Sequence, residues 1–216
     1  EDKITHERVP DLEAHVAQAL ADGKVVGWYQ GRMEWGPRAL GNRSILADAR
    51  RDDMKDIVNH AVKLREGFRP FAPAVLAEHA ADWFDLKGLP DSPYMLFVVP
   101  VQEDKRARIP AVTHVDGSAR VQTVSAVDNP RFHRLISRFH DLTGVPVVMN
   151  TSFNVKGEPI VNTPADAIRC FLGTMIDVLV VDDVVITKRP EVEAALRAAR
   201  GERVTGRVVD GRIEGV

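Results

Sequence analysis

The amino-acid sequence predicts an α/β (α+β) domain on a mixed twisted sheet flanked by helices. Two observations predict it. Segments with apolar residues at helical spacing interleave with short apolar or alternating runs, without the strict strand–helix–strand repetition of an all-parallel sheet. The composition also suits one large core: of 216 residues, 44% are hydrophobic and 28% charged, ordinary values for a folded chain. The expected division is a main domain over 1–189 and an appendage of one helix and a hairpin over 190–216.

In chain order, Leu12, Val16, Ala19 and Leu20 mark a helix between Pro10 and Gly23, with the glycine as its stop. Lys24–Tyr29 reads as a strand. The loop Gln30–Arg43 follows, carrying Gly31, Gly36, Gly41 and Pro37 among Arg32, Arg38 and Arg43, and Ser44–Ala47 is a second strand. Met54, Ile57, Val58, Ala61 and Val62 trace an amphipathic helix that delivers Lys63 and Arg65 to its C-terminal end. Phe71–Leu76 and Tyr94–Val99 read as buried strands around a short helix at Glu78–Phe84. Arg120–Val124 alternates as a strand does, and Pro130–Leu142 is a helix stopped near Gly144.

The apolar strand Val145–Met149 runs directly into Asn150-Thr151-Ser152-Phe153-Asn154. Thr163-Pro164-Ala165-Asp166 has the chemistry of a helix start: an N-cap hydroxyl, proline at the first position and an acid in the first turn. Val178–Val181 and Val184–Thr187 are strands joined by the turn Asp182-Asp183. A helix from Pro190 and a hairpin over Val208–Ile213 end the chain.

The net charge of −2 gives no global basic field for nucleic acid. The single cysteine, Cys170, excludes an internal disulfide framework and a cysteine-only metal cage, and lies in an apolar helical stretch that predicts a buried structural thiol. With no apolar run near the roughly 20 residues of a membrane span and no secretion signal, a cytoplasmic protein is expected. The seven histidines show no metal-ligand spacing, and no metal site is predicted; His114, near Asp116 and Arg120, is the one of interest. Walker, dinucleotide-fingerprint, GxSxG and HExxH patterns are absent.

Three blocks carry chemistry. Gly31–Ser44 sets three arginines within twelve residues among glycines; glycine lets a backbone approach a ligand, and guanidinium groups bind phosphate oxygens bidentately. Lys63–Pro73 places Lys63, Arg65 and Arg69 in a loop stiffened by two prolines before an apolar strand. Fixed cations of this kind suit a triphosphate or acyl phosphate. Asn150–Asn154 puts amides and hydroxyls at a strand's C-terminal edge, where α/β sheets often line a ligand crevice. Helix-dipole complementation accounts for Lys63 and Arg65 but not Arg69, and the third block alone reads more simply as an Asx or Ser/Thr turn. Arg120 is a fourth candidate.

The stretches Gly31–Leu46, Lys63–Pro73, His114–Val124 and Asn150–Ile160 resemble the signature blocks of the NodU/CmcH/TobZ carbamoyltransferases, and the resemblance runs from about residue 20 to about 187. It implies a YrdC-like, carbamoyl-adenylate-forming domain within an O-carbamoyltransferase of antibiotic or nodulation-factor biosynthesis. In such a domain carbamoyl phosphate is split, and the carbamate attacks the α-phosphorus of ATP. Carried over by position, Lys63, Arg69 and Arg38 are catalytic, and Arg120, Asn150, Ser152 and Thr151 bind substrate or nucleotide, with Arg32, Arg43 and Arg65 in support. ATP and Mg2+ are implied, and iron only in an N-terminal Kae1-like domain, the expected partner, where the acceptor hydroxyl is carbamoylated. That domain's His/Asp pattern is missing, and the chain opens on Glu-Asp-Lys, so a fragment of the enzyme is expected.

The alternative is a YrdC-like module that binds nucleotide or RNA without turnover, with Arg131, Arg134 and Arg138 supplying a basic groove. At helical spacing those arginines read more simply as a solvated face, and no stable nucleic-acid partner is expected.

Overall fold

A computed structural model describes residues 3–63 and 71–199, and the backbone of 207–209 and 212–214. The elements are β1 (Ile4–Glu7), α1 (Leu12–Ala21), β2 (Val26–Tyr29), β3 (Arg43–Asp48), α2 (Met54–Val58) with a π-helical turn over Asn59–Lys63, β4 (Ala72–Leu76), a 3-10 turn (Ala77–His79) and α3 (Ala80–Trp83). Then come β5 (Val98–Pro100), two 3-10 turns (Glu103–Arg108 and Pro110–Val112), β6 (Ser118–Arg120), β7 (Gln122–Val124), α4 (Pro130–Thr143), β8 (Val147–Ser152), α5 (Pro164–Leu172), β9 (Val178–Val181), β10 (Val184–Lys188), α6 (Pro190–Ala199), β11 (Arg207–Val209) and β12 (Arg212–Glu214).

Eight strands form one mixed sheet in the order β1-β10-β9-β2-β3-β8-β4-β7. Among the described residues only β2–β9 and β4–β7 pair in parallel. The fold is thus the mixed α/β sheet with flanking helices that the sequence predicts. Strands β2, β3 and β4 are buried along their whole length, and β3 carries the buried polar residues Arg43, Ser44 and Asp48 at its two ends. Helices α1 and α4 pack on each other and on β3, β4 and β8, while α5 covers β2 and β9. Among the described residues no helix is long and apolar enough to cross a membrane.

The helix boundaries follow cap chemistry. Asp11 accepts from Ala14 N at the start of α1, and Asn129 from Phe132 N at the start of α4. Gly144, at φ 67°, closes α4 in the left-handed conformation. Thr163 and Asp166 form a reciprocal capping box on α5, and hydrogen bonds from Thr163 hold the Asp166 carboxyl down at about 2.

Three expectations change. Tyr94–Val99 is not a buried strand: Tyr94, Leu96, Phe97 and Val98 are exposed, and Val98–Pro100 alone forms β5. Met95 stands at φ 54°, outside the extended region, which interrupts the run. Arg120–Val124 is two strands, because the chain leaves the small β5–β6 sheet at Arg120 and joins the main sheet at Gln122, pairing with β4. The strand expected over Val145–Met149 runs on to Ser152, held by β3 and β4 on its two edges. Strand β1 has no clear signal in the sequence, because its burial is slight and its pairing with β10 is long-range.

Candidate functional site

The end of β8 is the centre of the site. Asn150 pairs with Leu46 of β3 and Ala72 of β4, and Ser152 with Ser44. Here a cavity of about 100 Å³ opens, lined among the described residues by Arg38, Met95, Arg120, Asn150, Thr151 and Ser152, with Pro37, Ala39, Phe71 and Ala72 beside them. No carboxylate is among these lining residues. The two charged ones are arginines, so the wall is a fixed donor surface suited to an anion.

The arginine loop gets its shape from one acid. Glu34 Oε1 accepts from Leu40 N and Asn42 N at 2.7 Å each and from Arg43 N at 3.4 Å. Three backbone donors on one carboxylate oxygen fold the loop around it. Gly41, at φ 109°, rests against the buried Phe132 of α4, and a Cβ there would meet the ring at 2.3 Å. Asn129 Nδ2 donates to Asn42 Oδ1 at 2.9 Å, tying the same segment to the start of α4.

The loop's three arginines have separate fates. Arg43 is 3% exposed; its guanidinium donates to the carbonyls of Gln30, Asn42 and Gly31 and lies 3.5 Å from the Tyr29 ring centre. It fastens the two ends of the loop and does not reach the cavity. Arg38 is exposed at the cavity mouth. Arg32 is exposed and stands off the cavity wall.

Lys63 ends the π-helical turn, a helix widening often found at functional positions. It is 5% exposed. Its Nζ donates toward Ser152 O (2.5 Å), Asn154 Oδ1 (2.7 Å), Asn154 O (3.0 Å) and Ser152 Oγ (3.2 Å). The ammonium therefore stands behind the cavity, joined to it through Ser152. Arg65 and Arg69 lie outside the described residues.

Arg120 ends β6 and lines the cavity. On the turn before it, His114 Nδ1 meets Ser118 Oγ at 3.0 Å, and Ser118 Oγ donates to Asp116 Oδ1 at 2.7 Å. With the Ser118 proton on Asp116, Nδ1 is the donor to Ser118. Burial lowers the His114 pKa; Asp116 opposes the shift and Arg120 adds to it. Cys170 is a buried thiol pushed up to about 11 by burial.

Sequence reasoning misses Glu34, Gln122 and Met95. Glu34 has a visible signal, as the only acid in the arginine loop. Gln122 and Met95 have none: Gln122 reaches Asn150 from β7, two strands away in the sheet, and Met95 lines the cavity from the irregular segment before β5. The helix-face arginines resolve simply: Arg131 pairs with Glu13 and Asp183, Arg134 with Glu13, and Arg138 with Asp11. Neutralised in this way, that face lends a nucleic-acid groove no support.

Comparison with known proteins fits this geometry. Residues 17–188 match the family described as carbamoyltransferase C-terminus. The nodulation protein NolNO of Sinorhizobium fredii is 54% identical over 190 residues, covering 86% of this chain and 28% of that protein. The 3'-hydroxymethylcephem-O-carbamoyltransferase of Streptomyces clavuligerus is 44% identical over 182 residues, covering 84% and 34%. The chain thus spans about a third of the length of these relatives. Among solved structures, P. abyssi Sua5 complexed with L-threonine aligns with a TM-score of 0.58 at 14% identity, over 82% of this chain and 47% of that one. Full-length HypF in a phosphate- and nucleotide-bound form aligns at 0.53 and 17%, over 86% and 22%. The likeness to both is one of fold.

Proposed function

The chain belongs to the carbamoyltransferase C-terminal family, and from that premise we propose that it forms carbamoyl-adenylate from carbamoyl phosphate and ATP. The product would serve an O-carbamoyltransferase acting on a hydroxyl of a small molecule in natural-product biosynthesis, in the cytoplasm. The cavity carries the reading: about 100 Å³, walled by Arg38, Arg120, Asn150, Thr151 and Ser152, with no carboxylate among the described lining residues. Its arginines suit the phosphate of an acyl phosphate, and the exposed arginine loop beside it suits the phosphates of the nucleotide.

Water and carbamoyl phosphate give carbamate and phosphate. The carbamate oxygen then attacks the α-phosphorus of ATP, and pyrophosphate leaves. Both steps move negative charge between phosphate oxygens. Arg38 and Arg120 stabilise that charge without reorganising, provided their positions are fixed in advance. Glu34, Arg43 and Gly41 supply the fixing on the loop side, and Lys63 does so for Ser152. Arg65 and Arg69 join the set on the resemblance of their block. Mg2+ is expected with the nucleotide, but the described residues build no cage for it. None of those lining the cavity is a carboxylate, and no three His, Cys, Asp or Glu among them converge on one point. Transfer to the acceptor is assigned to the N-terminal Kae1-like domain expected in the longer relatives.

Titration with carbamoyl phosphate tests the site. Arg120→Gln keeps length and loses charge, and it weakens binding about 100-fold, in the range of a lost charge-assisted pair. Unaltered affinity in Arg120→Gln would remove the cavity from the mechanism.

A further inference from the structure

The arginine loop leaves β2 through one peptide held between opposite charges. The carbonyl of Gln30 accepts from Arg43 Nη1 at 2.7 Å, and the N–H of the same peptide, on Gly31, donates to Asp182 Oδ1 at 3.0 Å. In a trans peptide these two groups point in opposite directions. The carboxylate therefore meets the positive end of the peptide dipole and the guanidinium its negative end. Gly31 stands at φ 45°, and a Cβ there would meet nothing within 4 Å, so the position needs glycine for its backbone and not for room. A peptide beside glycine turns over at little steric cost; the two charges hold this one in a single orientation.

Asp182 is placed for this at a cost to the backbone. It is the first of the two residues between β9 and β10, at φ 49°, a left-handed conformation that strains an L side chain. Its main chain extends the pairing of β2 with β9: the N–H donates to Tyr29 O at 2.9 Å, and the carbonyl accepts from Gln30 Nε2 at 3.1 Å. Glycine would make the same turn without the strain. What glycine lacks is the carboxylate on the loop. The neighbouring Asp183 faces elsewhere, pairing with Arg8 and Arg131.

We infer that Asp182 is a positioning residue for the proposed reaction. With Arg43 it fixes the Gln30–Gly31 peptide, and through that peptide the path of the loop that brings Arg38 to the cavity mouth. Glu34 gathers the far end of the loop; Asp182 reaches its near end from another pair of strands. Asp182 is exposed and does not line the cavity, so it acts through the loop alone. The inference rests on the reading of Arg38 as a phosphate ligand.

Trp35 supplies a reporter inside the loop, because it is exposed while the other two tryptophans, Trp28 and Trp83, are buried. Its iodide-quenchable emission gives the nanosecond anisotropy of the loop without any ligand. The test compares wild type, Asp182→Gly, Asp182→Asn and Asp183→Ala by that anisotropy, by urea unfolding and by calorimetric titration with carbamoyl phosphate. Asp182→Gly is expected to keep its urea midpoint, the relieved strain offsetting the lost hydrogen bond. It should lower the residual anisotropy and weaken carbamoyl phosphate binding about three- to tenfold, the range of one net hydrogen bond. Asp182→Asn, which tolerates the turn and keeps an accepting oxygen, restores both, and Asp183→Ala changes neither. Wild-type affinity in Asp182→Gly overturns the inference and leaves the proposed function standing, whether or not the loop loosens. A lowered urea midpoint with the affinity kept does the same, since that marks a merely structural contact. Binding in Asp182→Asn as weak as in Asp182→Gly also overturns it. A wild-type chain that does not bind carbamoyl phosphate overturns the proposed function and the role of Asp182 together.

Discussion

Replacing Lys63 by methionine tests whether the ammonium behind the cavity is built into the fold. The side chain is 5% exposed and gives its charge to Ser152 O, Ser152 Oγ, Asn154 O and Asn154 Oδ1. Methionine fills a similar volume and donates nothing. After the change Asn154 Oδ1 still accepts from Ser152 Oγ at 2.8 Å and Ser152 O from Asn154 N at 3.1 Å, so the Asn154 carbonyl oxygen bears the main loss. A buried acceptor left without its donor costs about 1–3 kcal/mol, and the relieved desolvation of the ammonium offsets part of that sum. The expected loss is about 1–2 kcal/mol, read in urea as a lower midpoint at an unchanged slope. Because the same contacts hold Ser152 at the cavity wall, carbamoyl-adenylate formation should fall as well, by at least about tenfold, the equivalent of one net hydrogen bond. A midpoint shift worth less than about 0.5 kcal/mol, within the range of ordinary surface changes, would refute the reasoning.

Glu34→Ala removes the acceptor of three backbone N–H groups, and carbamoyl phosphate affinity should drop at least about tenfold, the equivalent of one net hydrogen bond. Arg131→Ala loses pairs with Glu13 and the largely exposed Asp183; it should cost no more than about 1 kcal/mol in urea unfolding and leave pyrophosphate formation unchanged. Cys170 should resist a thiol reagent at pH 8 in the native chain and react on unfolding, because burial holds its pKa at about 11. His114 sets a pH dependence: its folded-state pKa is depressed, first by burial, so its contribution is fully present above the unfolded value of about 6.5 and is lost as pH falls through the folded value. His140, lowered by burial and by His79, acts in the same direction. Thermal melts between pH 7.5 and 5 should therefore decline for the wild-type chain and decline less steeply for His114→Gln.

Helices are legible in the sequence because their signals are local: the Asn129 and Thr163 caps, the Gly144 stop and the apolar stripes each lie within one segment. Residue type and resemblance single out Arg38, Arg120, Asn150, Thr151 and Ser152, and the fold gathers them around one cavity. Sequence does not separate Arg38 from Arg43, since both sit in the same glycine-rich loop. Only the backbone path shows that Arg43 is spent on three carbonyls. Tyr94–Val98 misleads because apolar composition marks surface that gains from being covered and says nothing of where the chain puts it; four of these residues are exposed. The orientation of the Asn150 amide is out of reach for a different reason. It depends on Gln122, Leu40 and Ala39, which come together only through the order β3-β8-β4-β7.

The central claim is that these residues carry out the adenylating half-reaction, and the formation of pyrophosphate tests it most directly. The chain is incubated with ATP and Mg2+, with and without carbamoyl phosphate, and pyrophosphate is measured. The account predicts pyrophosphate only when carbamoyl phosphate is present, with carbamoyl-adenylate formed in equal amount. Pyrophosphate that forms at the same rate without carbamoyl phosphate, or none from a folded chain that binds both substrates, would contradict it.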